Sequence, residues 1–335
     1  MGEFQKIVVV GAGSWGTALA TVAVRAGRET HLWARREDVV RAINERHENP
    51  GALPGIPLDQ GIRATTDLAV VAEADAILLV TPAQTTREVT KGLARLVRPG
   101  TPAVLCAKGI ERDSGRLLSE VIAETLPQAV PAVLSGPSFA TDVARNLPTA
   151  VTVAAEDIEL AKALSRALSH PMFRPYASSD LVGVQVGGAL KNVLAIGCGI
   201  VAGKGLGASA QAALTARGFA ELARLAGTYG AHAETLTGLS CLGDLVLTCS
   251  TPQSRNFSFG IALGRGASVA DLLAEGRSLA EGAKTAAVAV RIAAERGIDI
   301  PISAAVEAII EGRGTVADIV ASLMSRPLKS EEEAV

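Results

Sequence analysis

Aromatic residues are scarce in this chain, and closely spaced cysteines and a large excess of either charge are missing. Phenylalanine, tryptophan and tyrosine make up 3% of its 335 residues, so it lacks the aromatic platforms on which proteins stack nucleic-acid bases. The formal net charge is −2, which provides no general attraction for nucleic acid or for an anionic membrane. Attraction for a phosphorylated ligand would therefore have to come from a local group of residues.

The four cysteines, Cys106, Cys198, Cys241 and Cys249, form neither a CxxC pair nor a cluster with histidine. Zinc sites and redox dithiols need closer spacing, so we expect no metal centre. We interpret the cysteines as buried, reduced thiols of a cytoplasmic protein. The histidines are equally scattered, which argues against a histidine base.

Long apolar runs are also missing. The apolar run near the N-terminus is short and is cut off by glycines, which is unlike a signal peptide. The stretch 187–207 comes closest to membrane length, but Lys191, Asn192 and Lys204 interrupt it. We interpret it as a buried helix followed by a glycine-rich turn, and we expect no membrane insertion.

The first half of the chain alternates short apolar runs with helical patterns. Nearly all-apolar strands are typical of a parallel sheet covered on both faces, and their alternation with helices predicts an α/β, doubly wound sheet. The predicted strands are residues 6–10, 30–34, 75–81, 102–107, 132–135 and 150–154. The predicted helices are residues 15–26, 36–48 and 85–97. From residue 178 the pattern is almost entirely helical, so we expect two domains, 1–177 and 178–335.

A glycine-rich turn follows the first predicted strand and opens the first predicted helix. Gly11, Gly13 and Gly16 have the GxGxxG spacing, with a second strand at the right distance. In such turns the glycines make the tight turn, let the backbone approach a pyrophosphate, and let the helix lie close to the strand. The helix N-terminus offers N–H groups to the phosphates. The sequence therefore predicts a nicotinamide dinucleotide site; the alternative is a glycine turn without a ligand.

The residues after the second predicted strand bear on which dinucleotide is bound. Folds specific for NAD usually place an acidic residue there to bind the ribose hydroxyls. Here the strand is followed by Arg35 and Arg36, and the first acidic residue is Glu37. Because arginine can form a charge-assisted contact with a 2′-phosphate, NADPH (NADP) is the expected cofactor and NAD the second candidate. The alternative is that the two arginines simply open a solvated helix.

Two further segments follow predicted strands, at the sheet edge where open α/β sheets bind their ligands. Lys108 comes directly after the strand 102–107, and its ammonium could reach the crevice. The turn that begins at Gly136 offers backbone N–H groups and the Ser138 hydroxyl to a polar substrate. For Lys108 the alternative is an ordinary surface lysine.

The helical half contains a lysine and an acidic residue in apolar surroundings. Lys191 lies one helical turn after Gly187 and Gly188, which would leave a surface without side chains over which a ligand could approach the amine. Burial disfavours the charged amine, and this can make a lysine a proton donor at neutral pH. Asp244 could orient or pair with such a lysine. The alternatives are a lysine that extends from the helix edge to solvent, and an acidic residue that caps a helix.

Ser254, Arg255 and Asn256 form a polar cluster between two apolar helices. An arginine beside an amide and a hydroxyl suits the binding of a phosphate group. The alternative is an exposed turn between helices.

Seven segments, taken in order, closely resemble the bacterial-type NAD(P)-dependent glycerol-3-phosphate dehydrogenases. They are GAGSWGTALA from residue 11, the Lys108-Gly109 pair, GPSFA at 136–140, GALKN around Lys191, GDL at 243–245, SRNFSFG at 254–260 and LAEG at 279–282. The resemblance covers nearly the whole chain. It implies a Rossmann-like dinucleotide-binding domain, 1–177, and an all-α substrate-binding domain, 178–335, like the C-terminal domain of 6-phosphogluconate dehydrogenase.

The same resemblance implies a reaction and roles for residues. The reaction is the reversible reduction of dihydroxyacetone phosphate to sn-glycerol 3-phosphate for glycerophospholipid synthesis, with Lys191 as proton donor and acceptor. The residues expected to surround the substrate are Lys108, Gly136, Ser138, Lys191, Asp244, Ser254, Arg255 and Asn256. The residues expected to contact the cofactor, besides the three glycines and Arg36, are Ser14, Trp15, Arg35, Lys108, Ala140, Arg255, Leu279 and Glu281. A homodimer is a candidate assembly.

Two other functions compete with this one. A β-hydroxyacid or ketopantoate reductase also joins a Rossmann domain to a helical domain and uses a lysine, but residues 254–256 and the GPSFA segment argue against it. A non-catalytic redox sensor that binds NAD(P)H would not need Lys191 and Asp244 in apolar surroundings.

Overall fold

A computed structural model describes residues 4–274, 280–327 and 330 of the chain. These residues form two compact units. The first comprises residues 4–111 with Arg116–Val184, and the second comprises Arg112–Gly115 with the described residues from Gln185 onward. The division falls a few residues after the predicted 177/178 boundary, because Leu181 and Val184 pack into an apolar core cluster of the first unit.

The first unit is built on one sheet of eight strands. They are β1 (Lys6–Val10), β2 (Glu29–Trp33), β3 (Ile62–Thr65), β4 (Ala76–Leu79), β5 (Pro102–Leu105), β6 (Val130–Ser135), β7 (Thr149–Ala154) and β8 (Phe173–Ser178). Their order across the sheet is β3-β2-β1-β4-β5-β6-β7-β8, and each neighbouring pair is parallel except β6 with β7. The chain leaves β1 towards one edge and returns to β4 beside it, which confirms the predicted doubly wound α/β class.

Apolar cores cover both faces of this sheet. The six helices of the first unit are α1 (Ser14–Arg25), α2 (Glu37–Arg46), α3 (Thr86–Leu93), α4 (Leu118–Thr125), α5 (Ala140–Ala144) and α6 (Ile158–Leu168). Ile7 and Val9 of β1 pack in a cluster with Leu19 of α1, whereas Val8 and Val10 belong to a cluster that includes Leu93 of α3. Because successive side chains of a strand point to opposite faces, burial on both faces makes the whole strand apolar, as predicted.

Strands β3 and β8 are absent from the sequence-based prediction. Both lie at an edge of the sheet, and each alternates buried with more exposed residues. An edge strand pairs on one side only, so it does not need a continuous apolar run. Neither strand therefore has the continuous apolar run that predicts a strand buried on both faces.

Each regular element described after residue 180 is helical. The helices are α7 (Leu181–Gly203), α8 (Ala208–Gly227), α9 (Ala233–Leu236), α10 (Asp244–Ser250), α11 (Arg255–Gly264), α12 (Val269–Ala274), α13 (Glu281–Glu295), α14 (Pro301–Ile310) and α15 (Val316–Met324). Leu239–Gly243 forms a single π-helical turn before α10. This composition confirms the predicted helical C-terminal half.

The long helix α7 is largely buried. By length and composition it is the one described helix that could cross a membrane, with a mean hydropathy of 1.5 over its most apolar window. However, 89% of that window is buried inside the protein, as expected for a core helix. It crosses α11 at very short range, because a side chain at Gly199 would meet the Phe257 carbonyl oxygen and one at Gly260 would meet that of Ile196.

Candidate active site

The glycine-rich turn joins β1 to α1 where the strand order reverses. Gly11 has a φ of +120°, and a side chain there would lie 2.8 Å from the Val80 carbonyl oxygen, just after β4. Glycine alone satisfies both conditions. A side chain at Gly16 would meet the Gly11 carbonyl oxygen, so α1 begins directly against the turn.

Gly13 faces open space instead. No described atom beyond its chain neighbours lies within 4 Å of a Cβ added at this position. Gly13 precedes α1 and has no side chain with which to cap the helix. The first-turn N–H groups and the positive end of the helix dipole therefore suit a phosphate, so this turn fits the pyrophosphate of a dinucleotide.

Two hydrogen bonds tie the chain after α2 to this turn. The Ser14 hydroxyl donates to the Ala52 carbonyl oxygen at 2.6 Å, and Asn49 Nδ2 donates to the Ala12 carbonyl oxygen at 3.0 Å. Trp15 is half-buried and packs against a core cluster of the first unit. The turn is thus held from the side of α2 as well as by the sheet.

The two arginines after β2 differ in their contacts. Arg35 is exposed and has no hydrogen bond or ion pair to another described side chain. Arg36 precedes α2, and its guanidinium donates through Nε to Asp38 Oδ1 at 2.9 Å and through Nη2 to Asp38 Oδ2. The Arg36 guanidinium therefore faces Asp38, whereas Arg35 is available to a ligand.

Lys108, Gly136 and Ser138 meet at one carbonyl oxygen. Lys108 Nζ donates to the Gly136 oxygen at 3.2 Å, and the Ser138 hydroxyl donates to the same atom at 3.0 Å. They meet because β5 and β6 are parallel neighbours, so the segments after both strands leave the same edge of the sheet. Ala140 begins α5 in this segment. Lys108 thus belongs to a polar cluster and is not an isolated surface lysine.

Lys191 forms a buried ion pair with Asp244. The two residues are 5% and 1% exposed, and Lys191 Nζ donates to Asp244 Oδ1. Nζ also donates to Thr248 Oγ1 at 2.7 Å, and this hydroxyl donates to the Asp244 carbonyl oxygen at 2.6 Å. Lys191 therefore does not extend to solvent, and Asp244 holds its amine, although Asp244 is also the first residue of α10.

The apolar surroundings of this pair also raise the pKa of a neighbouring thiol. Burial, followed by the Asp244 carboxylate, raises the pKa of Cys241 to about 12, against the opposing effect of Lys191. Removing either Lys191 or Asp244 would leave the other as an uncompensated buried charge, at a cost of about 3–5 kcal/mol. The geometry of the amine is therefore tightly fixed.

The expected role of Gly187 is wrong. A Cβ at Gly187 would lie 2.6 Å from Cys241 Cβ and 2.9 Å from its sulfur. The missing side chain thus lets the π-helical turn pack against α7 and does not open a path for a ligand to the amine. Gly187 affects the position of the Asp244 carboxylate indirectly, because the π-helical turn that packs against it leads directly into Asp244.

Residues 254–256 stand at the start of α11. Ser254 is buried and caps the helix by accepting a hydrogen bond from the Phe257 N–H, and Arg255 is exposed. Asn256 is buried; its Nδ2 donates to Asn192 Oδ1 at 2.9 Å, and its Oδ1 accepts from the Gly282 N–H at 3.0 Å. Only Arg255 is therefore exposed, as the alternative of an exposed turn would require, whereas Ser254 and Asn256 are buried.

Glu281 and Leu279 are the two remaining predicted cofactor contacts. Glu281 is the first residue of α13. Leu279 lies outside the described residues. Among the described residues there is no group of three or more His, Cys, Asp or Glu side chains that could hold a metal ion. All four cysteines are described, and each is a buried free thiol.

Sequence reasoning missed Thr248 and Asn192. Thr248 lies four residues after Asp244, so on a helix it shares the face of that carboxylate. Asn192 follows Lys191 and reaches α11 through Asn256. The helical spacing could have indicated Thr248, whereas the contact of Asn192 depends on the crossing of α7 and α11.

A dinucleotide turn on a doubly wound sheet, together with a helical unit that contains a buried lysine–carboxylate pair, defines a nicotinamide-dependent oxidoreductase. The family can be specified. The model of the NAD-dependent glycerol-3-phosphate dehydrogenase N-terminus matches residues 6–161, and that of its C-terminus matches residues 180–321. The chain belongs to this family, which confirms the resemblance found in the sequence.

Individual relatives are similar over the full length. The glycerol-3-phosphate dehydrogenase [NAD(P)+] of a Bradyrhizobium species is 59% identical over 330 residues, which cover 98% of this chain and 99% of that protein. The enzyme of the same name from Parvibaculum lavamentivorans is 57% identical over 328 residues, 98% of each chain. The crystal structure of glycerol-3-phosphate dehydrogenase from Coxiella burnetii is 38% identical, with a TM-score of 0.91, and covers 96% of this chain and 99% of that one.

Proposed function

We propose that the protein catalyses the reversible, NAD(P)H-dependent reduction of dihydroxyacetone phosphate to sn-glycerol 3-phosphate, and thereby supplies glycerophospholipid synthesis. The observation that carries this proposal is the buried Lys191–Asp244 pair, in a chain that matches the dehydrogenase family along its length. A redox sensor without catalysis would have no use for such a pair. The family match also disfavours a ketopantoate or β-hydroxyacid reductase.

Lys191 is the proton donor in reduction and the acceptor in oxidation. When bound, the nicotinamide supplies the hydride, and negative charge then grows on the substrate's carbonyl oxygen. The Lys191 ammonium stabilises this charge and transfers a proton to the oxygen, which acts on the transition state more than on the ground state. General acid help of this kind is worth ~10²–10⁴-fold in rate. Asp244 and Thr248 hold Nζ in position.

Binding is divided between the two halves of the sequence. Residues 1–177 would hold the dinucleotide: the N–H groups after Gly13 suit its pyrophosphate, and Arg35 is available to a 2′-phosphate. Residues 178–335 hold the substrate, with Ser254, Arg255 and Asn256 around its phosphate. The further residues proposed to contact the substrate are Lys108, Gly136 and Ser138. Those proposed to contact the cofactor are Ser14, Trp15, Lys108, Ala140, Arg255 and Glu281. We further propose a cytoplasmic homodimer.

Oxidation of NADPH, followed by the loss of nicotinamide absorbance, tests the reaction. We expect turnover with dihydroxyacetone phosphate and far less with a carboxylate-bearing ketone such as ketopantoate. Preference for the carboxylate substrate would contradict the proposed phosphate site. Tight binding of NADPH without turnover of any ketone would instead favour the redox sensor.

A further inference from the structure

The contact between Arg36 and Asp38 occupies the place where a dinucleotide-binding sheet distinguishes its two cofactors. Asp38 lies in the first turn of α2, two residues after Arg36. The guanidinium donates to both oxygens of this carboxylate, so the pair is bidentate. Both side chains are mostly exposed, at 73% and 63%, and neither is needed to fill the core.

A guanidinium that faces a carboxylate in this way is not available to a phosphate. Bidentate recognition of either anion uses two N–H groups of one planar fork, and here Nε and Nη2 already face Asp38. The Asp38 carboxylate would also repel a 2′-phosphate at short range. Arg35 has no such partner among the described side chains. A 2′-phosphate at this strand end thus meets one available arginine instead of two.

We propose that Asp38 is a specificity-determining residue. By holding the Arg36 guanidinium, it lowers the affinity of the site for the 2′-phosphate of NADPH and lets the same site accept NADH. This inference rests on the proposed use of the Gly11–Gly16 turn for a dinucleotide. It assigns the two arginines different roles. Arg35 provides the contact for the phosphate, and the Arg36–Asp38 pair sets how strongly that phosphate is preferred over a hydroxyl.

Direct binding tests the proposal independently of catalysis. The dissociation constants of NADPH and NADH are measured by fluorescence titration for the full chain, without ketone substrate. We expect Asp38→Asn to tighten NADPH by about three- to tenfold while NADH changes by less than about twofold, because one exposed guanidinium becomes available to the phosphate. An unchanged ratio of the two constants would overturn the proposal.

Glu37→Gln is the matched control for charge. Glu37 is the exposed neighbour of Asp38 in the same turn, so this change removes one negative charge without releasing a guanidinium. Glu48→Gln is the control for releasing a guanidinium. It frees Arg46 at the other end of α2, whose Nε lies 2.6 Å from Glu48 Oε1. Both variants should change the NADPH to NADH ratio less than Asp38→Asn does. An equal change in either would contradict a specific role for Asp38.

A double-mutant cycle separates release of Arg36 from direct repulsion by Asp38. In an Arg36→Ala background, Asp38→Asn should change the ratio clearly less than it does in the unmodified protein, because only the direct repulsion by Asp38 is then removed. If Asp38→Asn has its full effect in that background, Asp38 acts by repulsion alone and the proposal is wrong. Thermal unfolding of each variant verifies the fold. Failure of the proposed function is distinguishable, because the unmodified protein would then bind neither cofactor or would turn over no ketone.

Discussion

Gly187 in α7 packs directly against Cys241 in the π-helical turn, so closely that no side chain fits at position 187. A Cβ at Gly187 would lie 2.6 Å from Cys241 Cβ. Three residues after Cys241 the chain reaches Asp244, which binds the Lys191 amine, and Gly187 lies one turn before Lys191 on α7. The close packing of Gly187 on Cys241 thus helps to position Asp244 beside the Lys191 amine.

Gly187→Ala should therefore destabilise the protein and impair catalysis together. Neither Cys241 nor the backbone of α7 can move without shifting Asp244 or Lys191, and overpacking of this kind costs about 1–3 kcal/mol. Chemical denaturation and turnover measure the two effects. Gly227→Ala is the control, because Gly227 also lies in a helix and a Cβ there meets nothing within 4 Å. Equal stability of the two variants would show that the contact is not tight.

Lys191→Ala should abolish nearly all turnover and leave NADPH binding intact. The change removes the proposed proton donor to the carbonyl oxygen, and general acid catalysis contributes ~10²–10⁴-fold. The dinucleotide turn belongs to the other compact unit, so NADPH binding should persist. Thermal unfolding measures the stability that the helical unit loses when the buried Asp244 no longer has its partner. Near-normal turnover in a variant that binds NADPH would remove Lys191 from the proposed role.

Thr248→Val should lower kcat by about tenfold, whereas Thr248→Ser should behave almost like the unmodified protein. Valine has the shape of threonine but leaves one N–H of the buried Lys191 ammonium without its acceptor, at a cost of about 1–3 kcal/mol. Serine keeps the hydroxyl that bridges Lys191 and the Asp244 carbonyl. Steady-state kinetics of the two variants measure the difference. Equal losses in both would point to packing and not to the hydrogen bond.

Arg35→Glu should lower kcat/KM for NADPH relative to NADH. The change replaces an available cation with a carboxylate that repels the 2′-phosphate and can accept a hydrogen bond from the ribose hydroxyl of NADH. The ratio of kcat/KM values with the two cofactors is the measurement. A ratio equal to that of the unmodified protein would show that the phosphate is bound elsewhere.

Glu221 should make stability depend on pH just below neutrality. Its carboxylate is buried in α8 and accepts hydrogen bonds from the Ile302 and Ser303 N–H groups at the start of α14. Burial nevertheless raises its pKa from 4.5 to about 7, against the lowering effect of these donors. Below pH 4.5 the contribution to stability is fully present. It is lost as the pH rises to about 7, because there the folded state binds more protons than the unfolded one.

The size of this loss is on the order of 3 kcal/mol at full effect. Chemical denaturation between pH 5 and 8, with Glu221→Gln for comparison, measures it. The variant has no titrating group at this position, so its stability should fall less over that interval. Parallel stability curves for the two proteins would contradict the raised pKa.

Much of the fold could be predicted from sequence, for a physical reason. Strands buried on both faces, such as β1 and β4, must be apolar throughout, and Gly11 is required by a positive φ beside the Val80 carbonyl. The edge strands β3 and β8 escaped prediction because they are paired on one side only. The antiparallel pairing of β6 with β7 could not be predicted from the sequence either, since each strand is apolar whichever way it runs.

By itself, the sequence determined the class of sheet, the dinucleotide turn, the family and the candidate residues Lys191 and Asp244. Those features follow from local patterns and from the order of motifs along one chain. Only the tertiary structure decided that Lys191 is held by Asp244 and Thr248, that Gly187 accommodates Cys241, and that Asp38 occupies Arg36 while Arg35 is available. These relationships depend on distances between helices and on side-chain direction, which a pattern along the chain does not contain.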